Sequence, residues 1–251
     1  MPQIDVTNLT HTFGKDGSNA LTVLDDINLT FDSGSFNSII GTSGCGKSTL
    51  LKIMAGLFSP SDGQMTLDGE VIEGTNRRRG MVFQQDAVFP WMTVARNISY
   101  GPRLRGASRA EQAEIEAKWT KMVGLTGFED RWPRELSGGM RKRVDIGRVY
   151  ANDPDVLLMD EPFGALDAQT KERMQSDLLQ TWQQTRKTVV FVTHDIEEAI
   201  FLSDKIIVLS SRPGRVRHIE TVSLPRPRSD EMRLTEEFLE IKRRLWGLLD
   251  H

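Results

Sequence analysis

The stretch "GTSGCGKST", Gly41, Thr42, Ser43, Gly44, Cys45, Gly46, Lys47, Ser48 and Thr49, carries the densest chemistry in the sequence. It fits G-x-x-x-x-G-K-[ST] and directly follows an apolar run, "FNSII". Glycines there let the backbone turn sharply, so that successive N–H groups converge on phosphate oxygens. A helix starting within the motif adds its positive end. Lys47 then reaches the β- and γ-phosphates, and the Ser48 hydroxyl can ligate Mg²⁺. Cys45 reads as a small filler whose backbone amide matters more than its sulfur. The guanine selector Asn-Lys-x-Asp is missing from the sequence, which favours adenine.

Two more stretches place reactive side chains at strand ends. "VLLMDEP" is an apolar strand closing on two acids. Asp160 stands where a carboxylate orients a Mg²⁺ shell. Glu161 projects onward as a base or positioner for an attacking water, a role contributing typically ~10²–10⁴-fold. "VVFVTHD" repeats the pattern and sets His194 at the carboxyl end of a strand, the side where open α/β sheets bind ligands, so His194 is expected to contact the γ-phosphate. A fourth stretch, "LSGGMRKRVDIGRVY", reads as a helix entered through Gly138 and Gly139, with Gly147 inside it. An interior helical glycine costs roughly 1 kcal/mol against alanine. Arg141, Lys142, Arg143 and Arg148 crowd exposed positions of this helix. Asp145 among them can pair with Arg141 or Arg148 at helical spacing, or, on a buried face, signals a partner or lowered stability.

These groups need a scaffold of strands and helices. The runs 36–40, 81–83, 156–159, 189–192 and 206–209 are apolar on both faces, with helical patterns between them, as in a parallel α/β sheet. "IDVTNLTHTF", "LTVLDDINLTF" and "GQMTLDGEVI" alternate and carry turn signals, predicting antiparallel strands. Residues 86–135 lose the strand pattern, and Ser108 with Glu111 has the spacing of a capping box, so this is a helical insert. After Ser210 the sequence turns basic and turn-rich, ending in an amphipathic helix with Phe238, Ile241, Leu245 and Leu248 on one face.

The chain has 251 residues, 38% hydrophobic and 27% charged, with net charge −3. That balance gives no general reason to expect nucleic acid. One cysteine forms no intrachain disulfide. The stretch "MPQIDVTNLT" lacks the basic start and apolar core of a signal peptide, and no run approaches the ~18–20 apolar residues of a spanning helix. A cytoplasmic protein is expected, meeting a membrane only through partners.

With "GTSGCGKST", "VFQQ", "LSGGM", "VLLMDEPFGALD" and "VTHD" in that order, the chain resembles the ATP-binding cassette (ABC) ATPases over nearly its whole length. The resemblance implies an α/β P-loop NTPase fold with a RecA-like core, an antiparallel β subdomain and a helical subdomain. It divides the chain into 1–85 (antiparallel subdomain and the phosphate-loop part of the core), 86–135 (helical insert), 136–211 (signature helix and remaining core) and 212–251 (tail). By resemblance, the cofactors are ATP and Mg²⁺. Phe13 stacks on adenine, Gln84 meets Mg²⁺ and the attacking water, and Ala165, Leu166 and Asp167 communicate across a dimer. Ser137, Gly138 and Gly139 close on ATP held by a second ATPase subunit, identical or paralogous, in a head-to-tail pair.

"VFQQDAVFPWMTVARNISYGPRLRG" and "SSRPGRV…LPRPRS" narrow the resemblance to ATPases of nitrate, sulfonate and taurine importers. That group implies permease subunits at the cytoplasmic face of the membrane, docking near Phe89, Pro90 and Trp91, and a solute-binding protein beyond them. Met140 stands where glutamine is commonest, and "RKRVDIGRVY" where relatives tend to read "RQRVALARAL". A non-transport ABC ATPase and a nucleotide-binding assembly protein remain the alternatives.

Overall fold

The structure, a computed structural model, describes residues 2–14, 20–164 and 166–249. Two sheets organise the chain. The first is antiparallel and built from β1 (Ile4–Phe13), β2 (Leu21–Phe31), β4 (Asp62–Leu67) and β5 (Glu70–Val71), in the order β2-β1-β4-β5. The second contains β3 (Phe36–Ile40), β6 (Arg79–Val82), β7 (Val156–Asp160), β8 (Thr188–Val192), β9 (Lys205–Leu209) and β10 (Val216–Thr221). Its order is β10-β9-β3-β8-β7-β6. β6, β7, β8, β3 and β9 run parallel, and β10 closes the edge antiparallel to β9.

Burial explains why apolar runs and alternating segments separate so cleanly. β3, β7 and β8 are buried at every residue, because both faces of the second sheet are covered. Alternate side chains feed two cores. Val156, Leu158, Val190 and Val192 pack with the antiparallel sheet and helix α1 (Lys47–Met54). Leu157, Met159, Val189 and Phe191 pack on the opposite face with the remaining helices.

Between the sheets' segments lie α2 (Val94–Ile98), α3 (Tyr100–Leu104) and α4 (Arg109–Met122). α4 begins with the expected capping box: Ser108 Oγ accepts from Glu111 N, and a Glu111 carboxylate oxygen accepts from Ser108 N. α5 (Gly138–Ala151), α6 (Ala168–Thr185) and α7 (Ile196–Leu202) follow. α8 (Glu236–Leu249) buries Phe238, Ile241 and Leu245, while Leu248 packs at the core's margin. The segment after Ser210 holds a strand, β10, that the sequence did not announce. Its burial alternates regularly, but the exposed positions include Ile219 and the one buried residue is Glu220, so the sequence shows no hydrophobic period.

Candidate nucleotide site

Five parallel strands point the same way, so the loops after them gather along one edge of the sheet. The phosphate loop follows β3, Gln84 lies beyond β6, Glu161 follows β7, His194 follows β8, and Arg212 lies beyond β9. All of these segments border one cavity of about 530 Å³. Its floor is Ser43, Gly44, Gly46, Lys47, Ser48 and Thr49; Phe13, Leu21 and Val23 line it as well.

Gly46 caps α1 in the left-handed region at φ 102°, where a side chain would be strained. A Cβ there would also lie 2.6 Å from Leu24 Cδ2, so the loop is pressed against β2. Lys47 is buried, and its Nζ donates to the carbonyls of Gly41 at 2.8 Å and Thr42 at 3.1 Å. The loop thus folds around its own cation. Gly41, Thr42 and Cys45 do not line the cavity; Gly41 and Cys45 are buried and Thr42 is exposed. Burial pushes the Cys45 thiol upward, which keeps the sulfur unreactive.

Ser48 Oγ donates to Asp160 Oδ1 at 2.8 Å, so the carboxylate reaches the cavity through the hydroxyl. Burial raises the Asp160 carboxyl above its ordinary range, opposed by that bond and by the more distant Lys52 and Lys47. Glu161 sits at φ 42°, an uncommon conformation for a non-glycine residue. Its N–H donates to Val192 O at 2.9 Å, tying the end of β7 to the end of β8. Glu161 Oε2 lies 3.2 Å from His194 Nδ1 and accepts from Gln84 Nε2 at 3.3 Å. One carboxylate oxygen is therefore shared by two of the residues singled out in the sequence.

A buried polar cluster fixes the turn bearing His194. Thr193 Oγ1 donates to Glu198 Oε2, and Gln175 Nε2 donates to Glu198 Oε1 at 3.0 Å. Burial raises the Glu198 carboxyl, outweighing Thr193, Lys171 and Gln175. A raised folded-state value means that the stabilising proton is fully held below the unfolded pKa and lost as pH rises through the folded one. Glu198→Gln is pH-insensitive there, so its melting temperature relative to wild type should be more favourable at pH 8 than at pH 4. Equal shifts at both pH values in thermal melts would refute this.

Ser137, Gly138 and Gly139 lie away from the cavity. Ser137 is exposed and caps α5, accepting from Met140 N at 3.3 Å. Asp167 caps α6, its carboxylate accepting from Thr170 N at 3.0 Å, with Leu166 just before it. Ala165, expected in the same loop, lies outside the described residues.

The cations of α5 differ from the expectation of an exposed charged face. Lys142 is buried and donates to the carbonyls of Phe83 at 2.9 Å and Gln84 at 3.1 Å. Arg148 donates to Ala87 O and lies over the Phe89 ring at 4.9 Å. Arg141 Nε pairs with Asp86 Oδ2 at 2.9 Å. Backbone carbonyls of the segment after β6 draw Lys142 and Arg148 inward. Asp145 is 0% exposed and pairs with Arg148 at 2.7 Å, not with Arg141. At Gly147, a Cβ would find Val123 Cγ1 at 3.4 Å and Ile98 Cδ1 at 3.5 Å, so nothing in the packing demands glycine.

Arg212, Leu21 and Val23 were not picked out from the sequence. For Arg212 a signal existed: it follows "IIVL", at the carboxyl end of another parallel strand.

The model of the family described as ABC transporter matches residues 24–164. The nitrate import ATP-binding protein NrtD of Synechocystis sp. is 47% identical over 223 residues, covering 88% of this chain and 83% of the relative. The taurine import ATP-binding protein TauB of Jannaschia sp. is 40% identical over 253 residues, covering 99% of this chain and 94% of the relative. Among solved structures, the dimeric post-hydrolysis state of the ATP-binding cassette MJ0796 bound to ADP and Pi superposes with TM-score 0.75 at 33% identity. The match covers 88% of this chain and 100% of that one. Phosphate loop, acidic strand end and fold all fall within these matches, and the chain belongs to the ABC transporter family.

Proposed function

We propose that this chain is the ATP-hydrolysing subunit of an ABC importer for a small anionic solute of the nitrate, sulfonate or taurine type. The observation that carries the reading is Glu161, held between His194 and Gln84 at the wall of the phosphate-loop cavity. The import names of the relatives support the direction of transport. Among the described residues no helix is long and apolar enough to cross a membrane. The solute path then belongs to permease subunits, reached from the cytoplasmic face and supplied by a solute-binding protein. Trp91, 66% exposed beside Phe89, is the contact offered to them.

In this reading Phe13 stacks on adenine, while the loop amides and Lys47 hold the phosphates. Glu161 accepts the proton of the attacking water, and His194 and Gln84 keep its carboxylate aimed. Ser48, Asp160 and Gln84 supply hard oxygen donors that suit Mg²⁺, which takes few protein ligands alongside phosphates and waters. Mg²⁺ bound there would neutralise charge on the phosphates.

Ser137, Gly138 and Gly139 act on ATP in the other subunit of a head-to-tail pair, identical or paralogous. ATP shifts the pair toward closure only by its differential affinity for the closed state. Ser137→Arg tests this arrangement. Loss of the cap costs about 1 kcal/mol of stability, yet hydrolysis should vanish while ATP binding at the phosphate loop persists. Full-rate hydrolysis by Ser137→Arg would remove the trans contact from the mechanism.

A further inference from the structure

The turn carrying Arg212 is held more firmly than a surface connection requires. Ser210 N donates to Arg215 O at 2.9 Å, and Ser210 Oγ accepts from Arg215 N at 3.0 Å while donating to Pro213 O at 3.0 Å. Gly214 joins the turn to β2. Its N–H donates to Val23 O at 2.8 Å, and its carbonyl accepts from Asp25 N at 3.0 Å. A Cβ at Gly214 would lie 2.1 Å from the Cys45 carbonyl oxygen, so only glycine permits this approach to the phosphate loop. Arg215 pairs with Asp25 and anchors the far side.

The result is a rigid mount that projects Arg212 over the loop. Arg212 is exposed and borders the same cavity as Lys47 and Ser48. Its hydrogen bond from Nε to Gly44 O is 3.4 Å long and close to the limit of such bonds, so turning away from it costs little. Lys47, by contrast, is buried and held by two carbonyls. The cavity therefore has a fixed cation in its floor and an adjustable one at its rim.

We propose that Arg212 is a nucleotide-binding residue that clasps the polyphosphate of a nucleoside di- or triphosphate from the open side of the loop. A guanidinium fits this position because it is always charged and presents paired N–H groups matching phosphate oxygens. The proposal rests on the reading of this cavity as the ATP site.

The test is equilibrium binding of ATP, ADP and AMP to wild type, Arg212→Ala, Arg212→Lys and, as a control, Lys47→Ala. Arg212→Ala should weaken ATP and ADP about tenfold, as expected for one exposed charge-assisted contact, and leave AMP nearly unchanged. The KM for ATP should rise by a similar factor, with a melting temperature close to wild type. Arg212→Lys should recover part of the loss, since a point charge lacks the planar fork. Unchanged ATP affinity in Arg212→Ala, or equal weakening of ATP and AMP, overturns the proposal. Lys47→Ala separates the two levels: if it loses ATP while Arg212→Ala does not, the cavity remains the nucleotide site and only Arg212 is excluded. If Lys47→Ala binds ATP normally, the reading of the cavity itself fails.

Discussion

Glu161→Gln should retain ATP and lose about 10²–10⁴-fold in hydrolysis rate, the usual contribution of a positioned general base. The amide keeps the length of the side chain, and its oxygen can still accept from Gln84 Nε2, now 3.3 Å from Glu161 Oε2. What it cannot do is take a proton. The backbone at 161 is already committed to φ 42° and to the bond with Val192 O, so the substitution leaves the turn in place. With turnover blocked and binding intact, an ATP-dependent dimer should accumulate and be visible by size-exclusion chromatography. Normal turnover in this variant would exclude Glu161 as the base.

Arg148→Ala should destabilise the fold by about 3–5 kcal/mol, because it strands a buried charge. Asp145 is 0% exposed, and its Oδ2 already lacks a hydrogen-bond partner among the described residues. Burial raises its carboxyl, and Arg148 is the main opposing influence. Removing the arginine also releases Ala87 O and the face of Phe89. The double variant Asp145→Ala/Arg148→Ala should recover much of the loss, since the stranded carboxylate is gone. Denaturant melts of the two singles and the double give the coupling directly. A double variant as unstable as Arg148→Ala would mean that the arginine acts through the carbonyl and the ring alone.

The site was legible in the sequence to the extent that its chemistry is local. "GTSGCGKST" fixes a strand end, a turn and a helix start within a few residues, and the structure places them together. Glu161 and His194 were readable because each follows a fully apolar run, and such runs have few alternatives to a buried strand. The helix α5 was harder. Helical spacing offered Asp145 two partners, and the choice of Arg148 depends on Ala87 and Phe89, far away in sequence. For the same reason Lys142 looked solvated: composition records its charge, while its direction is set by the carbonyls of Phe83 and Gln84. β10 was invisible because an edge strand buried on few positions leaves almost no hydrophobic period. Arg212 lay within the quoted "SSRPGRV", but its place at the cavity depends on Gly214 meeting Cys45, a contact between distant parts of the chain.

The phosphate loop hangs from β3, and β3 lies between β8 and β9 in the sheet. Both neighbours are made long after β3 during synthesis, so a growing chain carries the complete motif with no ladder to hold it. Contacts of such long sequence separation are slow to form, and loop closure must precede their reward. On the proposed reading of the loop, nucleotide affinity is therefore acquired late, when the sheet closes around its middle strand. Until then the most recognisable motif in the sequence is only a flexible glycine-rich segment, and a bound nucleotide adds its stabilisation to the completed fold alone.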